Sequence, residues 1–460
     1  MSSIATDCGA RKADCLLPLC LAMAVLAILP PLFASSAVSL LLFFIFILSI
    51  IWMYFTVSLK YIVYLFAMCT NVIGVAVCEF SHTFLPELQC VSEFSGSLPL
   101  LIFSRSLFIL IIVKLDQRTK YYVKIEEKHA SSKIVKTILG LACFMVLFLC
   151  IASFINVARN PAFLSGMDRF QYSGQLLGIW GSIAAYLPYL ILISVIGMRF
   201  GFRKIAIATI AIYCIFLFWI GTKFSTFFTM FGYFALVYHD KLRDITPHNK
   251  LKVLASIATV LAMLVAFAVF AYSVAGHSAV GFLGERLAQQ GQLWWKTYSM
   301  IEPGVWFDEK QASVEMGALF ENRSISESVG SVNGIYGIMY LTAPASRVSE
   351  FLSQGARYTE AGYAMAYVIA GSIGPVLFAA VMALFVYYSQ TILASSIFRS
   401  DVAFSIIFAI LAGYVQTSNS MFVFSQFFTP MGLVIVALSF LYALINSAEK
   451  HRLSSGGQLL

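Results

Sequence analysis

The chain has 460 residues, 60% of them hydrophobic and 11% charged, with a net charge of +8, whereas a soluble globular chain carries about 25% charged residues. That composition excludes a soluble fold, and the mean hydropathy of +0.86 places most of the chain in lipid. The surplus of Lys and Arg is no argument for nucleic acid, because the basic residues flank every second apolar stretch, as cytoplasmic loops do.

Apolar stretches long enough to span a bilayer recur from end to end: Leu16 to Ala34, Ala37 to Val57, Tyr61 to Phe80, Leu98 to Val113, Ile134 to Val157, Leu176 to Met198, Ile205 to Ile220, Phe224 to Tyr238, Val253 to Ser273, Tyr363 to Tyr388, Val402 to Phe424 and Thr429 to Ile445. The pattern predicts an all-α polytopic membrane protein of about twelve transmembrane helices. Both termini fall on the face that collects Arg11/Lys12, Lys60, Lys114 to Lys136, Arg199/Arg203/Lys204, Lys241 to Lys252, Arg399 and Lys450/Arg452, which is the cytoplasmic face. Ile205 to Tyr238 is the critical reading. A single span there would invert everything downstream and put the basic tail on the wrong face, so two short helices are expected with a break at Gly221-Thr222-Lys223. Arg11 and Lys12 before an apolar run mimic a signal peptide, but Pro30, Pro31 and the next span argue for a retained first helix.

The organisation is then nine helices over 1–274, a large external loop over 275–362, helices ten to twelve over 363–446 and a cytoplasmic tail over 447–460. Within the loop, Gly284 to Tyr298 reads as one short amphipathic helix, and Ser326 to Leu341 is rich in Gly, Ser and Asn. Most cysteines lie in apolar spans and read as small hydrophobes, although Cys78 and Cys90 bracket a predicted external loop and are placed to pair in an oxidising compartment.

No phosphate-binding Gly-rich loop, nucleophile elbow or metal-ligand spacing of His and Cys occurs, so neither a cofactor nor a metal is expected. What stands out is a set of external cations, where the positive-inside rule makes them scarce. Lys223, in the turn between two apolar helices, lies at the headgroup level; it either meets a lipid phosphate or snorkels to anchor a helix end. Arg286 begins a stretch in which Glu285, Gln289, Gln292 and Lys296 share one helical face beside Trp294 and Trp295, suited to sugar or to an interfacial aromatic belt. Arg357 precedes a transmembrane helix and offers the planar fork that grips a diphosphate. Glu360 and His277 are candidate bases, each with a structural alternative. Arg347 contacts substrate or forms a surface ion pair with Glu350. Arg105 is the costliest intramembrane charge, and it either faces the bundle interior or sits near a helix end.

A dozen spans, a late external loop, the Gly221-Thr-Lys223-Phe-Ser-Thr226 turn, the stretch from Glu285-Arg286 to Trp294-Trp295 and the Arg357-Tyr-Thr-Glu360 segment together resemble bacterial O-antigen polymerases of the Wzy type. The resemblance implies a GT-C-like fold shared with O-antigen ligases and a metal-independent glycosyltransferase at the periplasmic face of the inner membrane. Its implied partners are an undecaprenyl-diphosphate-linked glycan donor and acceptor, membrane lipid and a chain-length regulator. Carried over, Arg286, Arg357 and Lys223 hold the diphosphate; no motif of the family fixes the base, and the residues themselves suggest Glu360 or His277 for the acceptor proton and Gln289, Gln292, Trp295 and Arg347 for contact with substrate. Lys223 stands where the family often has Arg. An O-antigen ligase remains open as an alternative, as does a twelve-helix transporter or flippase, against which stands the lack of internal symmetry.

Overall fold

The computed structural model describes residues 35–56, 59–118, 133–159, 179–221, 224–238, 279–300, 334–353, 358–399 and 401–456, with single helical positions between 252 and 266. The expected first span and almost all of the ninth, Val253 to Ser273, lie outside these residues.

The described chain is a helical membrane protein whose one sheet is a two-stranded hairpin. Helices α1 (Ser36–Thr56), α2 (Ile62–Phe80) and α3 (Leu98–Arg118) come first, with β1 (Phe84–Leu85) and β2 (Cys90–Val91) forming the hairpin between α2 and α3. Then follow α4 (Lys133–Val157), α5 (Ile179–Arg199), α6 (Arg203–Trp219) and α7 (Phe224–Val237). The late loop region expected from the sequence holds α8 (Ala279–Ala288), α9 (Gln292–Met300), α10 (Gly334–Thr342) and α11 (Ala345–Ser353). Last come α12 (Gly362–Ala370), α13 (Ile373–Phe398), α14 (Val402–Met421), the single turn α15 (Ser425–Phe428) and α16 (Pro430–Gly456).

Among the described residues 5 helices are long and apolar enough to cross a membrane, and shorter apolar stretches lie in α1, α5, α7 and α16. A helix is the form such sequences take in lipid because it satisfies every backbone polar group within the segment. The outward face of α4 shows why water is excluded as the solvent: Ile138, Leu141, Phe144, Met145, Phe148 and Ile155 are each 60–66% exposed. A continuous apolar surface of that kind belongs against acyl chains.

Two apolar cores lie side by side. One joins α1, α2, α3 and the short helices α8 to α12 to the first half of α13; the other joins α4 to α7 with the second half of α13 and α14. One end of the bundle carries a cluster of cations that includes Lys60, Arg199 and Arg399. There Lys60 pairs with Asp116, the Arg199 guanidinium donates to the Val237 carbonyl at 3.1 Å, and Tyr442 donates to Asp401 at 2.9 Å beside Arg399. The Arg199 bond brings the last turns of α5 and α7 to the same end, so α6 leaves that end and α7 returns to it. The two short helices expected from the sequence are therefore separate elements, with Gly221 at φ 67 in the break.

Two expectations are corrected. The stretch Tyr363 to Tyr388 is not one helix: α12 ends at Gly371, at φ 54, and α13 turns back alongside it, with Tyr363 5.2 Å from Phe378 and Gly374 against the Ala366 carbonyl. Pairing 363 with 378 and 366 with 374 makes the two antiparallel. The chain after α11 dips into the bundle, α12 climbs out, and α13 then crosses. Irregular backbone at that depth is tolerable because protein surrounds it, and α12 is buried along nearly its whole length. Gly284 to Tyr298 is likewise broken into α8 and α9. Cys78 and Cys90 are free thiols, as the reading of the cysteines as small hydrophobes has it, and Cys78 donates to the Ala288 carbonyl at 3.6 Å.

Candidate functional site

The site is assembled at the end of the bundle opposite the cations. Glu79, in the last turn of α2, turns one carboxylate oxygen onto the start of α3, where it accepts from the Ser97 amide at 2.6 Å, the Leu98 amide at 3.2 Å and the hydroxyls of Ser95 and Ser97. A helix N-terminus leaves amides unpaired and carries partial positive charge, so this carboxylate caps α3 from a neighbouring helix. The antiparallel helices are thereby set in register. Asn71 lies about two turns below Glu79, and Arg105 about two turns below Leu98, roughly 10 Å along each axis.

Helices α8 and α9 close over this end. The last carbonyls of a helix have no partners within it, and the corner after α8 hands its carbonyls to α2 and to the segment before α12. Ala288 accepts from Cys78, Gln289 from the Thr359 hydroxyl at 3.2 Å, and Gln290 from the Asn71 amide at 2.7 Å. Gly291 and Gly74 make the approach possible, because a Cβ on Gly74 would meet the Leu287 carbonyl oxygen at 2.5 Å and one on Gly291 would strike the backbone at Val75. Below the corner, Trp294 donates to the Ser97 carbonyl at 3.1 Å and Trp295 to the Glu93 carbonyl at 2.7 Å, while the Gln292 amide bonds to the Glu87 carboxylate. Tyr358 donates to the Glu87 carbonyl at 2.9 Å, which ties the segment before α12 to the same hairpin.

At the floor stands Arg105, completely buried. One terminal nitrogen, Nη2, donates to Asn71 Oδ1 at 2.7 Å and to Glu360 Oε2 at 3.0 Å, and the guanidinium lies over the Tyr363 ring at 3.9 Å. Among the described residues Nε and Nη1 have no acceptor, and each buried unpaired donor costs about 1–3 kcal/mol. Glu360 is held at φ 57, in the left-handed region that a side chain with a Cβ disfavours. A strained acid on an underfilled cation is an arrangement found at functional sites more than in inert cores.

Of the residues singled out from sequence, Arg286, Gln289, Gln292, Trp295 and Glu360 are gathered here. Arg286 donates to Gln289 at 2.8 Å, and Gln289 to Glu285 at 3.4 Å, along one face of α8. Gln292 and Trp295 are buried and hold α9 to the bundle. Glu360 is ion-paired with Arg105. Arg347 is elsewhere, in an exposed pair with Glu350 at 2.8 Å. Lys223, His277 and Arg357 lie outside the described residues. Sequence reasoning flagged Arg105 for its cost without giving it a place, and passed over Asn71, Glu79 and Glu87. The first two carry a legible signal, being polar groups inside or at the end of an apolar span.

No curated protein and no solved structure matches the chain. Residues 329–436 match a family model described as a family of unknown function (DUF6418), a stretch that holds Glu360, Tyr363 and helices α12 to α14.

Proposed function

We propose that this protein is a membrane glycosyltransferase that polymerises undecaprenyl-diphosphate-linked oligosaccharide repeat units into O-antigen or a related surface polysaccharide. One observation carries the reading: the Glu285-Arg286 to Trp294-Trp295 stretch, one of the three on which the resemblance to O-antigen polymerases rests, packs as a cover over a buried guanidinium at the end of the bundle opposite Lys60, Arg199 and Arg399. Fixed cations in a water-poor site stabilise a departing diphosphate strongly, because no solvent needs to reorganise as charge develops. In the proposed step the acceptor hydroxyl oxygen bonds to the anomeric carbon of the donor. The bond from that carbon to the diphosphate breaks, its electron pair leaves with the diphosphate, and the hydroxyl proton passes to Glu360 or His277. Arg286, Arg357 and Lys223 neutralise the leaving group.

Purified protein incubated with a lipid-linked repeat unit is expected to give a ladder of products on a gel; a single-repeat band from well-folded protein defeats the reading. Arg357→Ala is expected to reduce ladder formation about a hundredfold at unchanged protein level.

The proposal includes twelve spans in the bacterial inner membrane, with the basic end cytoplasmic and α8 and α9 periplasmic. Val91, exposed on the hairpin, and Lys204, exposed at the basic end, provide the check. Val91→Cys is expected to react with an impermeant maleimide on intact spheroplasts, and Lys204→Cys only after permeabilisation. Native Cys90 stays a quiet background, because burial raises its thiol above the ordinary value and the thiolate is the reactive form.

The buried Arg105–Glu360 pair also favours a second reading, an ion-coupled carrier, since intramembrane charges mark transport pathways. Glycan uptake into vesicles without elongation selects it.

A further inference from the structure

We propose that Arg105 is the receptor for the substrate's diphosphate and that Glu360 is its resident counter-ion, displaced when the diphosphate arrives. The identity of the anion rests on the transferase reading; the existence of the site rests on the geometry. Arg105 is wholly buried, yet Glu360 meets it through a single oxygen on Nη2, and among the described residues Nε and Nη1 face no acceptor. A diphosphate brings more acceptor oxygens and more charge than a carboxylate, and guanidinium nitrogens are matched to such oxygens. Glu360 is also the movable partner. Its side chain is 10% accessible against none for Arg105, and it sits at φ 57 in the non-helical segment just before α12, so departure relieves strain.

Displacement has a chemical consequence. While Arg105 holds it, the Glu360 carboxylate is a poor base; once freed, it takes the proton of the acceptor hydroxyl as the oxygen attacks the anomeric carbon and the diphosphate departs with the bonding electrons. The base is therefore released by the donor itself, which guards the empty site against idle chemistry.

The test is binding of inorganic pyrophosphate to the purified full-length protein by calorimetry, beside the elongation assay. Glu360→Gln keeps a hydrogen-bonding partner for Arg105 but removes the competing charge, so it is expected to bind pyrophosphate about tenfold tighter while elongating glycan more slowly. Arg105→Lys is expected to bind about tenfold more weakly; if it unfolds, Glu360→Gln decides alone. A short-chain prenyl diphosphate is expected to displace bound pyrophosphate, which identifies a lipid-linked ligand; failure to displace it overturns that assignment. Unchanged or weakened pyrophosphate binding in a normally melting Glu360→Gln protein, or no binding by wild type, overturns the displacement. The two readings fail separately: a ladder with unaltered binding removes this inference alone, and tight Glu360-dependent binding without a ladder removes the polymerase alone.

Discussion

Arg105→Met is expected to destabilise the protein by about 3–5 kcal/mol, because it strands the Glu360 carboxylate in a buried setting. Glu360→Met is expected to do the same to the guanidinium. The double variant Arg105→Met/Glu360→Met is expected to recover most of that loss, since apolar side chains in place of a buried pair leave no charge unpaired and can fill the space under the Tyr363 ring. Thermal or denaturant unfolding in detergent measures all four corners of the cycle. The double variant also separates architecture from chemistry: it is expected to be stable and unable to elongate glycan. A stable double variant that elongates normally assigns the pair to the scaffold alone.

The second large effect is expected at Gly291. A Cβ there meets the backbone of Gly74 and Val75 on α2, not a side chain that could swing away. Gly291→Ala must therefore lift the α8–α9 corner, which breaks the bonds from Asn71 and Thr359 to the corner carbonyls. A displacement of about 1 Å in a reacting assembly costs on the order of a hundredfold in rate. Loss of elongation by that factor is the expected result, with a red shift of Trp294 and Trp295 fluorescence and faster proteolysis between α8 and α9. Gly284→Ala is the control. It lies on α8, with nothing within 4 Å of the added carbon, and it is expected to leave elongation unchanged.

Asn71 and Glu360 show how unevenly the site could be read in advance. Glu360 attracts notice through its neighbours in the Arg357-Tyr-Thr-Glu360 segment, yet its sequence position, just before an apolar stretch, suggests an acid at the membrane surface. It is instead carried down to the level of Arg105, because α12 is a short climbing helix and not the start of a span. The break had a local mark in Gly371-Ser-Ile-Gly374-Pro375, a run of punctuating residues inside an apolar stretch. Asn71 had none beyond its polarity. Its partners, Arg105 and the Gln290 carbonyl, are 34 and 219 positions away.

Composition and periodicity by themselves determined that this chain is helical and lies in lipid, and they place the α2, α3, α4, α6, α7 and α14 boundaries within a few residues. They also separate α6 from α7 through the charges that follow each helix. Those properties depend on the partition of each segment between water and hydrocarbon, which is a sum over local residues. Only the tertiary structure decided that Glu79 caps α3, that α8 and α9 are two helices folded against Gly74, and that Arg105 and Glu360 are partners. Each of these is a contact between groups distant in the chain, and its geometry comes from how helices pack and where loops return, which no local sum contains.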